Sequence, residues 1–108
     1  MNERDRLHIS RIKYELKFIQ QRIASAGKDL FLADEVLQHA LSMSLISIGE
    51  CANRLSDSFK EFYSEIEWVQ IVAVRNIAAH GYWQLNMEQI WQAVEEDIPR
   101  LCDFFSQF

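Results

Sequence analysis

The residues of this chain best suited to chemistry stand together in one string, Arg75-Asn76-Ile77-Ala78-Ala79-His80-Gly81-Tyr82. An arginine is a permanent planar cation that grips phosphate oxygens in pairs, and a histidine exchanges protons near neutral pH. Together they suffice for metal-free cleavage of RNA, in which a ribose 2′-hydroxyl attacks its own phosphodiester. The imidazole relays a proton while the guanidinium stabilises the charged phosphorus centre. The plainer reading of the same residues is an Arg paired with an acidic neighbour and a His near a helix C-terminus, where the dipole favours its charged form.

Spacing constrains the pair. Residues five apart on an ideal helix diverge by about 140° around its axis and do not share a face. Either the helix ends before His80, as Gly81 allows, or each site takes groups from two chains. Tyr82, seven residues after Arg75, returns to the Arg side if the turn continues.

Other side chains carry weaker signals. His8 and His39 read as surface or packing residues. Trp68 and Trp91 read as core or interface packing, whereas Trp83, beside the motif in an expected loop, is the tryptophan to test for stacking on RNA. Phe104, Phe105 and Phe108 form an apolar tail that packs onto the bundle or a second subunit. There is no CxxC or Cys/His cluster, so neither a metal nor a cofactor is expected. Cys51 and Cys102 read as small buried hydrophobes and not as a disulfide.

The elements that must hold this motif are helical. Ile9, Ile12, Leu16, Ile19, Ile23 and Ala26 recur every three or four residues, which predicts a first helix over about 4–25, stopped by a left-handed Gly27. A second run, Phe31 to Leu55, has two apolar seams, Leu37-Leu41-Leu45-Ile48-Ala52-Leu55 and Val36-Ala40-Met43. Such a helix needs neighbours on more than one flank, and Ser44, Ser47 and Gly49 would let another helix approach closely, from the same chain or from a second subunit. Ser56-Asp57-Ser58 breaks this run, and Phe59 to Glu67 reads as an irregular or short helical connection. A third helix begins near Glu67-Trp68, with its end at Gly81. A fourth covers 86–108, with Asn86 as N-cap and Pro99 kinking or restarting it. No β-period is present. The expected fold is all-α, an antiparallel four-helix bundle with a short extra helical connection, and it occupies residues 1–108 as one domain.

Composition sets the outer bounds. A chain of 108 residues with 49% apolar residues and one Pro has room for one core, and for neither two domains nor disorder. Its longest apolar stretch, Ala40 to Gly49, is interrupted by three serines and falls far short of the ~20 residues of a membrane span. The amino end, MNERDRLHIS, has no apolar segment after its charges, so no secretory signal is read and the cytoplasm is the expected compartment. The net charge of −5 argues against nucleic-acid binding by bulk electrostatics. That charge is unevenly distributed, because residues 1–28 carry seven basic and three acidic side chains and the remainder balances to −9. A basic first helix on an acidic body is either a solvated face or a surface turned toward RNA or a partner.

The string R-N-I-A-A-H-G-Y resembles the R-x4-H-x-Y motif of the HEPN superfamily, specifically the HepT-like toxins of bacterial and archaeal toxin–antitoxin pairs. Ile48-Gly49-Glu50 with Ala52 and Arg54-Leu55 is similar to that family's IGEAAKRL-like stretch. Glu65-Ile66-Glu67-Trp68 resembles its PEIPW approach, and Trp91 with Asp97-Ile98-Pro99-Arg100-Leu101 its VW…DLPxL ending. Cys51 stands where Ala is common and Glu67 where Pro is frequent. The resemblance implies a HEPN bundle that forms a homodimer with its two motifs facing across a cleft, and metal-independent endoribonuclease activity on an RNA substrate, as toxin of a type VII-like pair. It implies Arg75 and His80 as the catalytic pair and Asn76 as support for the Arg. Tyr82 would be the residue to which a nucleotidyltransferase antitoxin transfers AMP. Glu50 would join the site's surroundings or form a simple salt bridge. The alternative within the same family is a non-catalytic regulatory partner of a nucleotidyltransferase.

Overall fold

The computed structural model describes residues 1–81 and 87–108, with side chains described for 1–79 and 87–108. Among the described residues six helices follow one another: α1 (Glu3–Ala24), α2 (Lys28–Ala33), α3 (Glu35–Arg54), α4 (Asp57–Phe62), α5 (Trp68–Gly81) and α6 (Met87–Phe105). No strand occurs among the described residues, so the all-α expectation holds. Helix α3 is the centre: α1 packs along one flank and α5 along another, while α6 closes the bundle across α1 and α5.

Local chemistry sets the boundaries. Asn2 caps α1 by accepting the Asp5 backbone N–H at 2.7 Å, satisfying one of the donors a helix start leaves free. The expected stop at Gly27 is corrected: α1 ends at Ala24, and Gly27, with φ −90°, is the extended N-cap of α2. The single run from Phe31 to Leu55 is also two helices. Asp34 breaks it with an extended backbone and accepts the Leu37 N–H at 3.1 Å, while the Gln38 amide donates to the Phe31 and Leu32 carbonyls that close α2. The connection after Ser56 contains one short helix, α4, capped by Ser56. Pro99 does not restart the last helix. It is exposed within a continuous α6. The expected N-cap Asn86 lies outside the described residues.

The apolar stripes meet as their spacing requires. Ile9, Ile12, Leu16 and Ile19 of α1, Leu41, Leu45 and Ile48 of α3, and Ile90, Val94, Ile98 and Phe105 of α6 are buried in one core. Two carboxylates of α1, Asp5 and Glu15, are buried with them. Asp5, at 2% exposure, accepts the Ser56 N–H at 2.9 Å and its hydroxyl at 2.6 Å, which ties the start of α1 to the α3–α4 junction.

Two features fix α5, the helix that carries the motif. Its first residue, Trp68, donates its indole N–H to the Tyr63 carbonyl at 3.1 Å and sits edge-on to Phe59, Phe104 and Phe105. Phe108 completes this aromatic cluster, so the phenylalanine tail packs on its own chain. Further along, α5 lies against α3 at Gly49, where an added Cβ would overlap the Arg75 Cβ and stand 2.8 Å from its Cγ. The small residue foreseen on α3 thus serves a neighbour within the same chain.

Candidate functional site

Arg75 sits in the middle of α5, with its side chain about one-third exposed. Its Nε donates to Glu50 Oε1 at 2.7 Å and its Nη1 donates to Asn76 Oδ1 at 3.0 Å. Asn76 thus bonds the guanidinium directly, and Glu50 is the acidic partner the sequence left open. Glu50 follows Gly49 on α3, so one two-residue step admits the backbone of α5 and orients the cation that α5 carries. A charge-assisted bond of this length fixes a flexible side chain. Because both groups are partly solvated, the ion pair adds under about 1 kcal/mol to stability, so its consequence is positional.

His80 is the penultimate residue of α5, and its side chain lies outside the described residues, as do Tyr82 and Trp83 entirely. The backbone nevertheless decides one point. Helix α5 runs through Gly81, so it does not end before His80, and the first of the two arrangements that the spacing allowed is excluded. Positions 75 and 80 are about 140° apart around one axis. Position 80 falls instead on the stripe of Val69, Ala73 and Asn76, at steps of four, three and four, and all three of those residues are exposed. Val69 is 83% exposed.

Around this site the electrostatics are mixed. Arg54 lies one turn beyond Glu50 on α3, and Arg11 of α1 lies nearby. Burial pushes the half-buried Cys51 thiol up, with Arg11 and Arg54 opposing the shift and Glu15 and Glu50 adding to it. Burial raises Cys102 likewise, and both cysteines are free thiols. On the other side of α5, a cavity of about 130 Å³ is floored by Leu45, Ile48, Ile71 and Ile98, with Glu65 and Glu67 in its wall. Arg100 also lines it but is paired with Asp97 at 2.9 Å, so the two glutamates leave it poorly suited to phosphate. His8 is half-buried, and His39 is exposed, 3.8 Å from Glu35, so neither joins the site. Trp91 is buried against Phe31.

Comparison with protein families matches residues 12–108 to the model described as Ribonuclease HepT-like. The chain belongs to the HepT-like ribonuclease family. Two relatives illustrate the match. A protein named Putative RNase TTE0752, from Caldanaerobacter subterraneus subsp. tengcongensis, is 31% identical over 96 residues, covering 89% of this chain and 86% of the relative. Another, named Probable ribonuclease HepT, from Thermococcus cleftensis, is 34% identical over 77 residues, covering 71% and 70% of the two chains. No solved structure gives a significant match. HepT-like membership accounts for the helical architecture as a HEPN bundle and gives this chain a ribonuclease ancestry. Among the described residues, no helix is long and apolar enough to cross a membrane.

Proposed function

We propose that this HepT-like chain is a metal-independent endoribonuclease, active as a homodimer, whose composite site pairs Arg75 of one copy with His80 of the other. The observation that supports the reading most is the continuity of α5 through Gly81, which separates the two positions by about 140° within one chain. The stripe of Val69, Ala73 and Asn76 that includes position 80 is the face through which two α5 helices meet. Joining across it brings each imidazole toward the opposite guanidinium.

The chemistry follows from the two groups. The ribose 2′-oxygen attacks the adjacent phosphorus while His80 takes the hydroxyl proton. The bond to the 5′-oxygen breaks, that oxygen leaves as an alcohol on receiving a proton, and a 2′,3′-cyclic phosphate remains. Arg75 stabilises the extra negative charge of the pentacoordinate centre, with Glu50 and Asn76 holding its fork in orientation. Tyr82 is the regulatory residue. A nucleotidyltransferase antitoxin transfers AMP to it, which adds negative charge and bulk beside the cleft and excludes the RNA phosphate. The pair works in the cytoplasm as a toxin and its antitoxin.

His80→Ala tests the assignment. It should abolish both RNA cleavage and growth inhibition, and retained cleavage would refute it. A second reading, a non-catalytic partner of a nucleotidyltransferase, is favoured by the −9 balance of residues 29–108, which repels RNA. Incubation with RNA in chelator separates the two: an enzyme yields cyclic phosphate ends, and a regulatory partner yields none.

A further inference from the structure

Helix α1 carries six basic side chains, Arg4, Arg6, Arg11, Lys13, Lys17 and Arg22, all exposed. Its acids do not offset them equally. Asp5 is buried on Ser56, Glu15 is buried and paired with Arg11 at 2.8 Å, and only Glu3 faces water. The helical period sorts the cations into two rows. Arg4, Arg11 and Arg22 fall within about 20° of one another around the axis, whereas Arg6, Lys13 and Lys17 fall on the opposite flank of the exposed face. The second row borders α6: Lys13 donates to the Phe108 carbonyl at 2.8 Å, and Lys13 and Lys17 line a groove with Cys102 and Ser106. The first row borders α3. Arg11 and Arg54 bear on the same Cys51, which follows Glu50, the residue that holds Arg75.

Aromatic rings are interleaved in the first row. Arg11 lies over the Tyr14 ring at 5.2 Å and Arg22 over Phe18 at 4.4 Å, and Tyr14 is itself 62% exposed. These contacts, with the Arg11–Glu15 pair, fix two guanidinium groups on the helix surface, and Tyr14 remains an exposed amphipathic ring that a nucleobase can engage. Cations in a row with an exposed ring suit a single strand, whose unstacked bases a ring can engage.

We propose that the α1 row Arg4, Arg11 and Arg22 binds the phosphate backbone of single-stranded RNA, with Tyr14 stacking on a base. The row spans roughly 27 Å at 1.5 Å per residue. It rests on the ribonuclease reading for its ligand, but it concerns where the strand lies outside the reacting phosphate. It also answers the acidic balance of the body, since the charge that binds RNA is concentrated on one face.

The test is equilibrium binding of a fluorescein-labelled, unstructured single-stranded RNA by the full chain. The His80→Ala background keeps the RNA intact, and the salt concentration is varied. Each lost phosphate contact on a single strand lowers the slope of log affinity against log salt by about 0.7. The triple variant R4Q/R11Q/R22Q should therefore lower the slope by about 2 and weaken binding at least tenfold near 0.1 M salt. The variant R6Q/K13Q/K17Q removes the same net charge from the other row and should leave the slope within about 0.7 of the parent. Tyr14→Ala should weaken binding at least fivefold with the slope unchanged. Equal losses from both triples mean bulk charge and overturn the proposal, as does an unchanged slope in R4Q/R11Q/R22Q, the result expected of a face that binds an acidic protein. Cleavage by the unsubstituted chain is measured separately. Cleavage with no row effect sinks only this surface, whereas a row effect without cleavage sinks only the enzyme reading. The replaced α1 side chains are exposed, and thermal unfolding checks the fold of each variant, R4Q/R11Q/R22Q above all because it leaves the buried Glu15 without Arg11.

Discussion

Gly49 and Arg75 meet without room for a methyl group, so that α3 and α5 touch at the level of the backbone where the motif begins. Gly49→Ala gains roughly 0.5–1 kcal/mol in helix propensity but must push α5 away, an overpacking cost of about 1–3 kcal/mol. The net expectation is a lower melting temperature together with a loss of RNA cleavage larger than the loss of fold. Gly27→Ala, with nothing within 4 Å and φ of −90°, should leave both unchanged. A Gly49→Ala variant with full cleavage activity would show that the α3–α5 contact does not set the position of Arg75.

The Glu50–Arg75 bond separates positioning from stability. Glu50→Ala should move the unfolding free energy by under about 1 kcal/mol, because both groups are partly solvated. It should lower kcat for RNA cleavage by about tenfold, the scale of about 1.4 kcal/mol in the barrier. Glu50→Gln retains an acceptor for the Arg75 Nε and should recover most of that loss. Single-turnover kinetics with thermal unfolding on the same samples would check both.

Asp5 is structural. Asp5→Ala leaves the Ser56 N–H and hydroxyl without their acceptor in a partly buried junction, so it should cost about 1–3 kcal/mol in urea unfolding. Cleavage per folded molecule should not change, because the residue ties α1 to the end of α3 and not to α5.

Assembly gives a fourth outcome. Light scattering should return a mass near twice that of the chain. Val69→Glu, which places a charge on the exposed α5 stripe, should return the monomer mass and remove cleavage while leaving the helical circular dichroism intact. A monomeric parent that still cleaves would break the two-chain site.

The thiols give a pH test. Burial disfavours the thiolate of Cys51 and of Cys102, so each folded pKa is raised, and the neutral form persists to higher pH than in an exposed cysteine. Alkylation at pH 8 should be slower than in the unfolded chain and should accelerate as pH rises through the elevated values. Arg11→Gln removes a cation that favours the Cys51 thiolate and should slow that site further.

Periodicity was enough to place the amphipathic segments that became α1, α3 and α6, because a stripe is a property of a single segment, and the resemblance of the string 75–82 and its flanking stretches pointed to the family. They left open whether the run 31–55 bends, since Asp34 and Gln38 act as a joint only when both α2 and α3 have formed around it. They also did not identify the Glu50 partner or say which helix Gly49 admits, because those are pairings between α3 and α5, separated by 25 residues in the chain. Only the packed structure decided these points. Close approach and charge pairing depend on which faces are turned together, and that is fixed by how the whole core is buried and not by the local order of residues.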